Sequence, residues 1–182
     1  QVEGDTLVIS GCQEILELAV PYETIISASR LKDKVSIENV RQVEIQDCKD
    51  DIIIENIQGD VSISGIAGSV VLKNIQGTAS VGDIDDDLSI LQVAHVITQG
   101  ELKGDAFFSG IGRLEVKRVA NSASLQDIEQ AVLSSIGNDM TAQDINVMRV
   151  GSIGNECKIE GKRETEITIE SVGNDLTVPV GA

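Results

Sequence analysis

Short apolar runs along the chain end on Leu31, Val40, Cys48, Ile57, Ile66, Ile75, Ile84, Val93, Leu102, Ile111, Val119, Ile128, Ile136, Ile145 and Ile153, each 8 or 9 residues after the last. Within a typical step, Gln58 to Ile66, Val61 and Ile63 alternate with Ser62 and Ser64. That is the period of two of a strand with one buried face. Each step therefore reads as a turn followed by a strand. The steps also alternate in kind. Before the apolar stop, one class carries Asn39, Asn56, Asn74, Gln92, Gly110, Asp127 and Asp144, spaced 17 or 18 apart. The other opens on a corner at Gly68, Asp86, Gly104, Asn121, Asn138, Asn155 and Asn174. The true repeat is thus two strands in 17 or 18 residues. Its clearest copies are Ser135 to Asp139, Ser152 to Glu156 and Ser171 to Asp175, where Gly and Asn suit tight corners with positive φ.

A repeat this short cannot be a sandwich of hairpins, because stacking in one direction makes each strand pair with its own equivalent one coil away. The pattern predicts an all-β chain, a right-handed parallel β-helix (β-solenoid). It forms a single domain over residues 1–182: less regular coils over 1–30, regular repeats over 31–161 and a C-terminal coil over 162–182. At about 4.8 Å per coil the rod is roughly 45 Å long. The inward positions run from Val35 and Ile37 through Val61, Ile63, Leu88 and Ile90 to Ile167 and Ile169, with Ala79, Ala106, Ala123, Ala131 and Ala142 where the section narrows.

Composition agrees. Roughly a quarter of the residues are Ile or Val, types that suit strands, and with no Trp, one Tyr and two Phe the core is not aromatic. The net charge of −16 argues against nucleic acid, whose affinity comes from Lys and Arg, and against anionic membrane surfaces. No apolar run approaches the length of a membrane span. Gln1 follows no basic or apolar leader, as in a mature or trimmed chain, so the compartment is not read from targeting and the cytoplasm stays open. Cys12, Cys48 and Cys157 lie far apart on apolar positions, which predicts buried thiols rather than a disulfide framework or a zinc site.

Near the N-terminus, Gly4-Asp5-Thr6-Leu7 and Val20-Pro21, followed by the repeats from Gln58-Gly59-Asp60 to Ile111, resemble the bacterial auto-transporter adhesin head domains of the GIN-type β-helix family and related adhesin domains. The resemblance spans nearly the whole chain. It implies a right-handed β-helix at the cell envelope or surface and brings no catalytic residues.

Enzymatic readings find little support. Hexapeptide-repeat acyltransferases need a six-residue period and a catalytic His, whereas the period here is 8 to 9 and the lone His95 falls in a corner column with Gly59 and Gly77. A lone base needs a partner. Carbohydrate-active β-helices need carboxylate clusters beside aromatic platforms, and the aromatics are Tyr22, Phe107 and Phe108. The expectation is no enzyme, no cofactor and no carbohydrate partner. Calcium is the one candidate ion. Asp51, Asp87, Asp105, Asp139, Glu156 and Asp175 share a corner column, interrupted by Ser69 and Ser122, and carboxylates a coil apart repel unless a hard cation bridges them. Asp87, Asp105, Asp139 and Glu156 are the candidate ligands of such an edge. The nine-residue calcium β-roll matches in period only, since no GGxG occurs. The plainer reading of the column is a solvated acidic edge.

Outward strand positions define two faces. One runs Ser36, Ile53, Val71, Ser89, Phe107, Ser124, Thr141, Lys158 and Thr177; the other runs Glu44, Ser62, Ser80, Thr98, Glu115, Val132, Arg149 and Thr168. Ile53, Val71 and Phe107 form an exposed apolar strip on the first, and Ser62, Ser80 and Thr98 a flat strip of small residues on the second. Charge kept off a face of so acidic a chain marks a surface that packs against something. The expected function is a non-catalytic scaffold that binds a protein partner or itself through these faces. The competing readings are a filament subunit joined end to end, with Pro21 and Pro179 blunting the open edges, and, less favoured by the residues, a carbohydrate-binding or carbohydrate-active β-helix.

Overall fold

The computed structural model describes residues 2–12, 20–161 and 166–178. In it, sixteen strands form one sheet that winds on itself. They are β1 (Val2–Glu3), β2 (Thr6–Ser10), β3 (Ile25–Leu31), β4 (Val35–Glu38), β5 (Gln42–Cys48), β6 (Ile52–Ile57), β7 (Val61–Ile66), β8 (Val70–Val81), β9 (Leu88–Thr98), β10 (Glu101–Leu102), β11 (Ala106–Val119), β12 (Ala123–Ile136), β13 (Met140–Ile153), β14 (Cys157–Glu160), β15 (Glu166–Val172) and β16 (Leu176–Thr177). All pair in parallel except β1 with β2. Partners lie one coil apart, as in Phe107 with Ser124 and Ser124 with Thr141. The chain is a parallel β-solenoid.

All fifteen predicted apolar stops are buried. Because successive strand residues face opposite ways, the columns they head line one continuous core. Val35, Ile37, Ile167 and Ile169, expected in that core, are only half-buried. They lie in the outer coils, where β4 pairs only with β6 and β15 only with β13. Phe108 is fully buried beside Ile90 and Leu125 in its column, an inward position the alternation assigns but the expected core lacks. Ala106 and Ala123 stand in the neighbouring inward column, where small side chains leave volume for the ring.

The two strands of a coil are one strand bent at a corner. From β8 to β13 the bend falls on Asn74, Gln92, Gly110, Asp127 and Asp144, all with φ between 51° and 66°. Asn56 and Asn39 hold the same conformation one and two coils earlier. The periodic column before the apolar stops is therefore the left-handed corner, and Asn and Asp tolerate that region better than most residues. The Gly-Asn copies were expected to supply it, and they do not. Gly154 is required by proximity instead: a Cβ there would lie 2.0 Å from the Gly137 carbonyl oxygen of the coil below. Asn155 and Asn174 add a side-chain ladder, with Asn174 Nδ2 donating to Asn155 Oδ1 and Asn155 Nδ2 to Asp139 Oδ1 at 2.6 Å.

One irregularity corrects the second face. Ile75 pairs with Val93, but Thr78 pairs with His95, so Gln76 and Gly77 together oppose the single Ala94. Beyond this bulge the spacing is 17, Ser80 faces Ile97, and Thr98 stacks on Val81 in the core. Thr98 is 4% exposed and its Oγ1 accepts the Lys117 N–H at 3.0 Å. It is an interior acceptor, not a surface residue. The same shift moves His95 out of the column of Gly59 and Gly77 and into line with Thr78 and Arg113.

The left-handed corner makes a direct prediction at Gln92. Gln92→Gly relieves the backbone and is expected to change unfolding free energy by less than about 1 kcal/mol, whereas β-branched Gln92→Val is expected to cost about 1 to 3 kcal/mol. Urea unfolding of the two variants measures the difference.

Candidate functional site

The first face carries its outward column in the predicted register: Ser36, Ile53, Val71, Ser89, Phe107, Ser124, Thr141, Lys158 and Thr177 pair in succession. Ile53, Val71 and Phe107 are half-buried rather than exposed. Small residues flank Phe107 on both sides, Ser89 below and Ser124 above, and the corner column runs beside them. The result is a groove of about 340 Å³ along the solenoid axis. Val71 and Phe107 line it with Ser89, Ser124 and Thr141, and its rim is Ser69, Asp87, Asp105, Ser122 and Asp139. Ile53 continues the column one coil beyond it. Thus two residues of the apolar strip and half of the acidic column, two separate readings of the sequence, meet in one place.

The rim carboxylates have a structural task. Asp87 Oδ1 accepts the Asp105 N–H at 2.8 Å, Asp105 Oδ1 the Ser122 N–H at 3.0 Å, and Asp139 Oδ1 the Glu156 N–H at 3.1 Å. Asp51 does the same for Ser69 at 3.0 Å. Each spans the gap between coils at a corner where the strand ladder lapses. No group of three or more His, Cys, Asp or Glu side chains among the described residues is arranged to hold a metal. Within the calcium edge expected from sequence, Ser122 separates Asp105 from Asp139, and Glu156 lies exposed on the coil beyond. The ion pairs of the described residues engage Asp85, Glu101, Glu115, Glu160 and Glu166. Asp87, Asp105 and Asp139 take part in none of them.

The second face offers less. Ser62 and Ser80 pair directly and point outward, but Ile97 follows where Thr98 was expected, so the small strip ends after two coils. Further on, Arg113 Nε lies 2.7 Å from Glu115 Oε1, and His95 Nε2 is 3.6 Å from the same oxygen. His95 therefore sits half-buried on the strand surface beside a carboxylate already held by an arginine, its Nε2 shielded from solvent and without a hydrogen bond. Cys48 and Cys157 are buried and Cys12 half-buried against the core. Burial pushes both buried thiols up, Cys157 to about 11. Sequence reasoning missed the groove as a shape; its signal was the alternation of Ser with Val and Phe down one outward column.

No family model, curated protein or solved structure matches the chain.

Two outcomes are expected from these contacts. Asp105→Asn keeps an oxygen for the Ser122 N–H and should be nearly neutral, whereas Asp105→Ala loses it at a cost of about 1 kcal/mol by denaturant unfolding. For Cys157, the folded state binds its proton more tightly than the unfolded chain, whose thiol has the ordinary value of 9.0. Its contribution is complete below about pH 9 and is lost as pH rises toward about 11. Cys157→Ala should flatten that part of the stability profile.

Proposed function

We propose that this solenoid is a non-catalytic scaffold that binds a protein partner, or a second copy of itself, through the first strand face, with the groove over Val71 and Phe107 as its working surface. The observation that carries the reading is the conjunction of an apolar floor with an acidic rim free of ion pairs on a rigid, repetitive support. Rigid strands suit the task, since a surface that is already ordered gives up little entropy on binding. The resemblance to GIN-type adhesin heads supports placing this activity at a bacterial cell envelope or surface.

The end-to-end reading has one observation on its side. In the last described coil β16 pairs on one side only, with β14, and Leu176 and Val178 are about half exposed. Sheet edges of this kind recruit further strands. Pro179, expected to blunt that edge, lies outside the described residues.

Sedimentation velocity over a wide concentration range, with and without millimolar calcium, separates the two. Phe107→Glu is expected to abolish a facial complex and Leu176→Glu to leave it intact. A polymer that survives Phe107→Glu and is lost in Leu176→Glu would move the function to the ends. For a foreign partner, a photoreactive phenylalanine analogue at Phe107 should cross-link it, and the same analogue at Thr168 on the opposite face should not.

A further inference from the structure

If the first face binds protein, as proposed, the shape and charge of the groove over Val71 and Phe107 restrict what can occupy it, and the identity of the occupant rests on that reading. Floor and rim run in the same direction, along the axis and across the strands, because each is a column of equivalent positions from successive coils. An occupant that satisfies both must carry apolar groups and positive charges in alternation along its length. From Asp87 to Asp139 is three coils, roughly 14 Å at about 4.8 Å per coil, which four or five residues of extended chain span.

Charge narrows the choice further. Asp87, Asp105 and Asp139 each commit Oδ1 to a backbone N–H or to a neighbouring amide. The second oxygen of each has no cationic partner among the described residues. Five acidic side chains among the described residues do have one, as where Asp85 takes Lys103 at 2.7 Å and Glu101 takes Arg118 at 2.6 Å; the rim differs from the remaining unpaired carboxylates in lying beside apolar surface. The rim is therefore a row of carboxylates held in fixed orientation by the fold and left without counter-charge beside apolar surface. We infer that the groove binds an extended segment of a partner protein in which basic and apolar residues alternate, the apolar side chains resting on Val71 and Phe107 and the Lys or Arg side chains reaching Asp87, Asp105 and Asp139. The partner segment lies along the solenoid axis rather than adding a strand to the sheet, whose inner strands are already paired on both sides.

The decisive comparison keeps the fold intact. Asp87→Asn, Asp105→Asn and Asp139→Asn together remove three charges but keep an oxygen for each backbone N–H. Glu44→Gln, Glu129→Gln and Glu170→Gln, all exposed and away from the groove, remove the same net charge elsewhere. The probe is a dye-labelled peptide of alternating lysine and valine, read by fluorescence anisotropy on the full chain, with lysine–serine and serine–valine peptides as controls. Circular dichroism melts accompany each variant. The lysine–valine peptide should bind, more weakly as salt rises. The rim triple should lose about tenfold in affinity, the sum expected of three partly exposed ion pairs, and the distant triple less than about twofold. Phe107→Ser and the lysine–serine peptide should each lose about fivefold, the worth of one apolar contact.

Equal losses in the two triples would reduce the binding to general attraction toward a protein of charge −16 and overturn the inference. So would a lysine–serine peptide that binds as well as lysine–valine. A serine–valine peptide, or a second copy of the chain, that binds tightly and is blocked by Phe107→Glu but indifferent to the rim triple would make the occupant wrong while leaving the facial scaffold standing. Indifference of every probe and of self-association to Phe107→Glu would remove both.

Discussion

Each coil must hand its backbone N–H and C=O groups to the coils above and below, and nearly everything else about this molecule depends on that obligation. A buried peptide group left unpaired costs about 1 to 3 kcal/mol, so consecutive coils must present equivalent positions at the same height. A slip of one residue would turn every inward Ile and Val out to solvent and every outward Ser and Asp into the core. Coil length is therefore held at 17 or 18 through the regular coils and reaches 19 only toward the two ends; within the regular coils an extra residue is admitted where it can bulge without disturbing the columns, as at Gln76 and Gly77. The bend between the two strands is met the same way: at that corner one residue per coil goes left-handed, and Asn74, Gln92, Gly110, Asp127 and Asp144 fall in one column because the geometry recurs, while Arg30, Asp47 and Gly65 add a second left-handed column in the earlier coils.

This obligation explains what was legible in the sequence and what was not. Features that repeat with the coil could be counted. The apolar stops, the column of residues before them and the whole outward column from Ser36 to Thr177 came from spacing alone, since the ladder converts sequence period into spatial register; the left-handed conformation of that column did not, having been expected at the Gly-Asn corners instead. Features that break the repeat could not be counted. The bulge before Thr78 leaves no mark in composition, yet it carries Thr98 from the surface to the interior and His95 from a corner to a strand face. The glycines of the Gly-Asn corners were visible, but their reason was not. Close approach to the carbonyl of the coil below depends on how tightly neighbouring corners stack, which no single repeat reveals. The groove belongs to the same class: that Phe107 floors a depression depends on Ser89 and Ser124 on either side and on the height of the corner.

The acidic corner shows how a column can serve the fold and still be available for something else. Carboxylates about 5 Å apart repel by roughly 1 to 3 kcal/mol, depending on exposure. A hydrogen bond from a backbone N–H to a charged acceptor contributes about 1.5 to 3 kcal/mol. The two are of similar size, so a ladder of Asp is tolerated where each Asp also closes a gap in the backbone pairing. Asn would close the same gap without the repulsion, and the chain does place Asn in other corner columns, at Asn138, Asn155 and Asn174. Asp60 and Asp83 make the same bond away from the groove, so the fold carries more corner charge than closing these gaps requires.

That surplus of charge bears on how such a molecule comes to have a function. On a solenoid an outward position is relieved of most packing duties, because its neighbours along the column are a coil away and the core is reached by the alternate residues. Columns can change character with little effect on the ladder, and a change repeated over three or four coils becomes a stripe rather than a spot. Val71, Phe107 and the two serines make one such stripe, and the carboxylates of the corner make another beside it. Between them they present apolar surface and negative charge at the coil spacing, over a length set by the number of coils that share the pattern. The pattern changes at Lys158, which follows Thr141 in the same column and pairs with Glu160 at 2.6 Å. A lysine there ends the acidic, apolar character of the face just past the last residues of the groove, and gives the surface a boundary that the backbone by itself does not impose.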